Sequence, residues 1–267
     1  MSIEIPDRWL GKPVEGALER ALKSPNPALP IATPASPASI LPANNSGLNK
    51  ADYIILRSQS YGSYTYGDTL VSMQRAHLGK NWNESWDSLK SDGSYMLTIR
   101  QFADFLELLS SGHAFDGNGI RVQPSRLNEL YKDITEVRDP WRSEWLDARF
   151  VKKQVGKSFG VIPKNELQIA YHVPNAQGVL TEVQEPLEPY LDSNKTPGID
   201  LDHWKKSGTK HGLPLKGNRD GGLYYWQPVD GKVAWFGANS DWAYLDCSED
   251  PADRYSDLGV RPARAKI

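Results

Sequence analysis

The side chains able to do chemistry in this chain are few and dispersed. Its histidines are His77, His113, His172, His203 and His211, and no two have the i, i+4 spacing that places a pair of imidazoles on one helix-borne metal. His203 and His211 either line a pocket or sit in solvated loops. Glu144 and Asp147 lie close in sequence, yet general acid–base work needs carboxylates that converge in a desolvated site, and spacing alone does not specify that. Cys247 is the sole cysteine, with no histidine nearby in sequence to activate it. Asp116-Gly117-Asn118-Gly119 has too few acidic ligands at alternating positions for a calcium loop and reads as a turn. There is no GxSxG elbow, no phosphate-binding glycine loop and no HExxH. The expectation is a protein that is not an enzyme and uses neither cofactor nor metal.

What the sequence does concentrate is recognition chemistry. From Gly217 to Ala263 the chain interleaves aromatic rings with short polar residues. Tyr224, Tyr225, Trp226, Trp235, Phe236, Trp242, Tyr244 and Tyr255 alternate with Asn239, Ser240, Asp241, Asp246, Ser248, Asp250 and Asp253. Rigid rings supply contact area at low entropy cost, and short polar groups supply adaptable hydrogen bonds. The candidate ligand-facing set is therefore Tyr224, Tyr225, Trp235, Phe236, Asn239, Ser240, Asp241, Tyr244, Asp246, Ser248, Asp250, Asp253 and Tyr255. Leu223, Val233, Leu245 and Leu258 read as the core partners of that set, and the paired Gly221-Gly222 as a close-packed turn or strand.

Stepping outward from these residues, the chain falls into three regions. Residues 1–49 form an arm. Leu10, Val14, Leu18 and Leu22 suit a short amphipathic helix, and six prolines from Pro25 to Pro42 make an extended linker. The arm either docks on a partner subunit or packs on its own domain. Residues 50–149 read as mainly helical after a strand at Tyr53-Ile54-Ile55-Leu56. A helix is expected from Asp68 through Leu78, another carries Trp82, Trp86 and Leu89, and the capping box Thr98-Ile99-Arg100-Gln101 opens a third that stops at Gly112. Ser125 caps a fourth through Leu127, Leu130, Ile134 and Val137. Asp139-Pro140 starts a fifth with Trp141, Trp145 and Leu146 on one face; the two tryptophans are ligand platforms or, by the more economical reading, core. Ser58 to Gly67 reads as a turn-rich connection or a second contact loop. Residues 150–267 read as strands and loops, with Phe159-Gly160-Val161-Ile162 and Leu167 to Tyr171 as strands and loops over 186–198 and 207–217. The fold class is α+β.

With 267 residues the chain can bury a core unaided, and 24% charged residues against 39% hydrophobic ones exclude wholesale disorder. A net charge of −2 gives no electrostatic reason for a nucleic-acid partner. No apolar run reaches the roughly 18 residues of a membrane span. No signal peptide is visible in Met1 to Trp9, so the chain is expected to be soluble and synthesised in the cytoplasm.

The order Gly221-Gly222, Trp226, Pro251-x-x-Arg254 and Leu258-Gly259-Val260-Arg261-x-Ala263 resembles the end of the C-type lectin fold in its formylglycine-generating-enzyme-like form. More closely, it resembles the variable region of diversity-generating retroelement variable proteins, with Val260 in place of the usual Phe of the terminal Gly-Phe-Arg. The resemblance implies a C-type lectin-like domain over 150–267 behind the helical region. It also implies a segment, about 220–263, diversified by a reverse transcriptase that miscopies adenines. From Phe236 to Ser248 every residue except Trp242 is reachable from an AAY codon by adenine mutagenesis, and Cys247 would be an incidental product of it. Trp226, Trp242, Arg254 and Arg261 would be fixed scaffold. The implied function is receptor recognition by a virus or phage tail tip or a displayed binding protein. It would act at a virion surface or cell exterior on a protein or glycan of a host or neighbouring cell, with homo-oligomer assembly through the Pro-rich arm. A formylglycine-type enzyme would need a pair of reactive cysteines. A calcium-dependent sugar lectin would need a Gln-Pro-Asp motif, which Gln227-Pro228-Val229-Asp230 interrupts. A structural tail or capsid protein with a permanent aromatic interface is the remaining alternative.

Overall fold

A computed structural model describes residues 8–9, 12–13, 39–40, 48–155, 164–175 and 179–266. The chain divides into two compact units, Met1–Pro37 and Ala38–Ile267. In the first, β1 (Arg8–Trp9) and β2 (Lys12–Pro13) pair antiparallel; the leucines of the expected amphipathic helix and the prolines of the linker lie outside the described residues.

The second unit is built on two sheets. The larger comprises nine strands among the described residues, in the order β12-β13-β15-β14-β9-β10-β11-β3, with β16 beside β9. These are β3 (Ser39–Ile40), β9 (Arg142–Val155), β10 (Lys164–Pro174), β11 (Val179–Pro186), β12 (Lys195–Ile199), β13 (Leu223–Trp226), β14 (Val233–Ala238), β15 (Ala243–Glu249) and β16 (Leu258–Val260). The smaller sheet has the order β4-β7-β17-β8, made from β4 (Tyr53–Leu56), β7 (Thr69–Ser72), β8 (Tyr95–Met96) and β17 (Pro262–Ala265). A separate hairpin joins β5 (Gln59–Tyr61) to β6 (Tyr64–Tyr66). The helices are α1 (Trp82–Ser91), α2 (Ile99–Ser110), α3 (Pro124–Thr135) and α4 (Leu201–Ser207). The mixed α and β content agrees with the expected class at that coarse level.

Helix signals held where caps and burial agreed. Asn81 and Thr98 each close a reciprocal capping box, with Glu84 and Gln101 respectively. Gly112, at φ +69°, follows α2 in the left-handed conformation that suits glycine. Ile99, Phe102, Phe105 and Leu106 are fully buried. α3 opens with Pro124 in its first turn behind Gln123, which makes no side-chain cap bond, rather than being capped by Ser125, and Val137 lies beyond its end, exposed.

Two expected helices are strands. Leu70 belongs to β7, which pairs with β4 and β17; all four of its residues are buried, and Asp68 accepts hydrogen bonds from Ser58 N and Arg57 rather than capping a helix. The stretch after Pro140 is β9. Residues four apart share a face under both the helical and the strand period, so Trp141 and Trp145 could not distinguish them. Ser58–Gly67 is a hairpin, and α4, capped by Asp200, stands beside a stretch read as loops. Residues 50–149 are thus not mainly helical. Nor is there a border at 149/150, because β9 runs through it and β17 returns to the sheet of β4 and β7. Phe159 to Ile162 lie outside the described residues.

One buried ion pair ties these parts together. Arg261, 2% exposed, donates through Nε and Nη2 to the two carboxylate oxygens of Glu144, 1% exposed, at 2.9 and 2.5 Å. Its Nη1 donates to the Ser72 carbonyl at 2.9 Å, and its guanidinium lies over Phe105, 5.7 Å from the ring centroid. Arg142 also pairs with Glu144. Burial acts to raise the Glu144 carboxyl, but Arg261 and Arg142 outweigh it and bring it down to about 2. Because the folded carboxyl is the more acidic, this stabilisation is complete above the unfolded carboxylate range, near pH 4.5, and is lost as pH falls toward 2. We expect urea unfolding midpoints to drop across that window, with Glu144→Gln losing this part of the dependence. Arg261→Ala, which breaks the bidentate pair and leaves Arg142 to hold the buried carboxylate, should cost about 3–5 kcal/mol at neutral pH; a loss below about 1 kcal/mol would contradict this account.

Candidate recognition cleft

Side-chain direction on the large sheet sorts the sequence-derived candidates. Successive residues of a strand point to opposite faces. On β15, Leu245 and Cys247 are fully buried on one face, whereas Tyr244, Asp246 and Ser248 share the other. The register places Trp235 opposite Asp246, Gly237 opposite Tyr244 and Phe236 opposite Leu245. Tyr225 pairs with Leu245, and Tyr224 and Trp226 pair with Tyr244 and Asp246. Tyr225 and Phe236, 0% and 1% exposed, therefore belong to the core and not to a ligand-facing set. Phe236 stacks on Trp204 at 6.1 Å and packs on Phe102 at 5.1 Å. Cys247 is likewise a core residue, 0% exposed, whose thiol burial pushes well up. Leu223, Val233, Leu245 and Leu258 are buried as expected.

On the opposite face the rings join in a continuous ribbon. Trp242 stacks on Tyr224 at 4.6 Å, Tyr224 meets Trp226, Trp226 meets Tyr244, and Tyr244 packs against Trp235 at 5.5 Å. Trp235 stacks on Tyr255 at 5.6 Å, and Trp141 stands edge-on to both. Beneath, the buried Trp145 stacks on Trp235 and donates its Nε1 hydrogen to the Lys80 carbonyl at 3.0 Å.

The end of this ribbon opens into a cleft of about 470 Å³, lined by Asp139, Trp141, Trp235, Asn239, Ser240, Tyr244, Glu249 and Tyr255. Of the candidates, Trp235, Asn239, Ser240, Tyr244 and Tyr255 meet here. Asp241 is exposed in the adjoining turn, where Asn239 Oδ1 accepts from the backbone N–H groups of Asp241 and Trp242. Asp246 accepts from Ser248 N and Oγ beside the cleft. Asp250 holds Lys232 at 2.8 Å, and Asp253 hydrogen-bonds Glu249. Tyr224 lies further along the ribbon. Asp139, Trp141 and Glu249 were missed as lining residues. Trp141 carried a signal, since its ring was recognisable as a platform, but the helical reading of 139–149 directed it inward. Arg261 is buried against Glu144, while Arg254 reaches Glu84 at the surface at 2.5 Å.

Backbone clearance shapes the cleft wall. A Cβ on Gly237 would lie 2.1 Å from Ser143 Oγ and 2.6 Å from the Tyr244 ring, so only glycine lets those two groups meet. They hydrogen-bond at 2.7 Å, which fixes the phenol of Tyr244; its burial raises its pKa to about 12. A Cβ on Gly221 would similarly lie 2.6 Å from the Asp200 backbone, as its paired-glycine reading requires, whereas one on Gly222 would face open space. At the cleft's acidic edge, burial, followed by the hydrogen bond with Asp253 and the charge of Asp246, pushes the Glu249 carboxyl up to about 7.

The other chemical groups lie elsewhere. Asp147, wholly buried, accepts from His172 N at 2.6 Å and pairs with its Nδ1 at 3.1 Å. His211 is buried against Tyr64 and Tyr171, and burial together with neighbouring Lys210 lowers its pKa to about 4. His203 bonds Ser207 within α4, and neither histidine lines the cleft. Among the described residues no group of three or more His, Cys, Asp or Glu is placed to hold a metal ion, and no helix is long and apolar enough to cross a membrane. No family model, curated protein or solved structure matches this chain.

Gly237→Ala should displace Tyr244 and lower stability by about 1–3 kcal/mol, measured by urea unfolding; an unchanged midpoint would mean the clearance is unimportant. Glu249 gives a second test. Between pH 4.5 and 7 the folded carboxyl holds a proton that the unfolded one has released, so this group favours folding less as pH rises. Glu249→Gln should therefore gain stability relative to the parent chain between pH 5 and pH 8, and a constant difference would count against the raised pKa.

Proposed function

We propose that this protein is a ligand-recognition protein whose binding surface is the aromatic cleft of β14, β15 and the 253–255 loop. On this reading it is a retroelement-diversified variable protein with a C-type lectin-like scaffold. The observation that carries the reading is convergence: five candidates chosen for their residue types, Trp235, Asn239, Ser240, Tyr244 and Tyr255, line one open cleft. Convergent rings with a few polar groups are what a binding site requires. The scaffold part draws support from the terminal motif. Arg261 anchors it through Glu144, Gly221 occupies a position with no room for a side chain, and β17 closes against β7. Placement at a virion surface or cell exterior, and a protein or glycan receptor there, follow from the same resemblance.

The half-buried strip Tyr224, Trp226 and Trp242 favours a second reading, a permanent interface in a structural tail or capsid protein. A chain that remains monomeric in light scattering would remove it.

Sequencing the flanking DNA tests the first reading. The expected result is a near-copy of the segment encoding 220–263 that differs almost only at adenines, beside a reverse transcriptase gene. The substituted codons should fall on the cleft positions and avoid Tyr225 and Phe236. With no such template, diversification fails, and a fixed interface becomes the better account.

A further inference from the structure

The cleft's composition points to a class of ligand, given the reading of it as the recognition surface. Its rings form a contiguous wall in which Trp235 and Tyr255 stack and Trp141 stands across them. Asp139 and Glu249 stand with that wall, and no Lys, Arg or His is among the lining residues. Aromatic faces and uncompensated carboxylates both attract an organic cation, the rings through their quadrupoles and the acids by charge. A third feature narrows the choice. Trp235 Nε1 is a buried indole donor without a hydrogen-bond partner, on a side chain that is 8% exposed and lines the cleft. An unpaired buried donor is costly, and a ligand carbonyl would satisfy it.

We propose that the cleft binds the cationic head of an Arg or Lys residue on a protein partner, with a neighbouring backbone carbonyl of that partner accepting from Trp235 Nε1. A cation and a neutral acceptor a few bonds apart are what such a residue presents, and a volume of about 470 Å³ accommodates a long side chain with its adjoining backbone. A bare quaternary ammonium would leave the indole unpaired. A neutral sugar would leave the carboxylates without a counter-charge.

Binding should also depend on Glu249 being ionised. The groups acting on it are Asp246 on its own strand, Asp250 and Asp253 in the following turn, and Tyr244 and Tyr255 from the cleft wall. Lys232, the nearby cation, is already held by Asp250. Burial, the hydrogen bond with Asp253 and the charge of Asp246 outweigh the backbone N–H that Asp250 donates and push Glu249 up to about 7, so it gains its charge between pH 6 and pH 8.

The test is an NMR titration of the full chain, following the indole N–H signals of Trp141 and Trp235. The probes are the N-acetyl, N-methylamide derivatives of arginine, lysine and norleucine, with tetramethylammonium chloride and methyl glucoside. The arginine or lysine derivative should bind about tenfold more tightly than norleucine. It should weaken from pH 8 to pH 6 and lose most of that advantage in Glu249→Gln, whose spectrum also reports whether the variant is folded. Equal binding of norleucine, or preference for the glucoside, would overturn the cationic assignment while leaving the cleft a ligand site. Tetramethylammonium binding as tightly as the arginine derivative would overturn the peptide source. No shift with any probe would overturn both this inference and the cleft reading.

Discussion

The bidentate contact between Arg261 and Glu144 is the constraint on which the second unit depends. Its atoms come from β9 and the segment joining β16 to β17, and the same guanidinium reaches the end of β7 and the face of α2. Positions far apart in the chain thus share one desolvated charge. Such a pair is a weak source of net stability, since removing two ions from water offsets much of their attraction. Its leverage is geometric. An unpaired carboxylate at that depth is so unfavourable that alternative placements of β16, β17 or β9 are disfavoured, and the large sheet is held in register behind the cleft.

Around that anchor the alternation of β-strand side chains divides labour. The inward positions of β13, β14 and β15 carry Leu223, Tyr225, Phe236, Leu245 and Cys247, which fill the core with α2 and Trp204. The outward positions carry the aromatic ribbon and the carboxylates. A shift of one residue in any of these strands would exchange the two sets, so the register that makes the core also makes the aromatic face that lines the cleft. The parallel pairing of β13 with β15 and the antiparallel pairing of β14 with β15 impose the same parity across three strands.

Much of this was legible in the sequence, and the failures have physical causes. The capping box at Thr98 located α2 because a cap is a local reaction of side chain with backbone, and the spacing of Trp82, Trp86 and Leu89 located α1. The aromatic and polar mixture located the cleft because composition does not depend on topology. What went unread was everything decided by distant partners. Leu70 and Val71 look helical until β4 and β17 claim them, and Trp141 and Trp145, four residues apart, satisfy both periods. Residue type alone places Tyr225 and Phe236 on the surface, and only strand parity assigns them to the core. Glu144 looked like one charge among many, and only the return of Arg261 gives it a role.

Gly237 has a further consequence. By leaving no side chain beneath Tyr244, it makes the phenol ring the only filler of a space bounded by Ser143 and the sheet backbone. The depth of the cleft above Gly237 then depends on the side chain at 244. A smaller side chain there opens a pit without moving a strand, and a larger one closes it to a shelf. A single codon can therefore retune the concavity of this surface while the scaffold beneath it stays as it is.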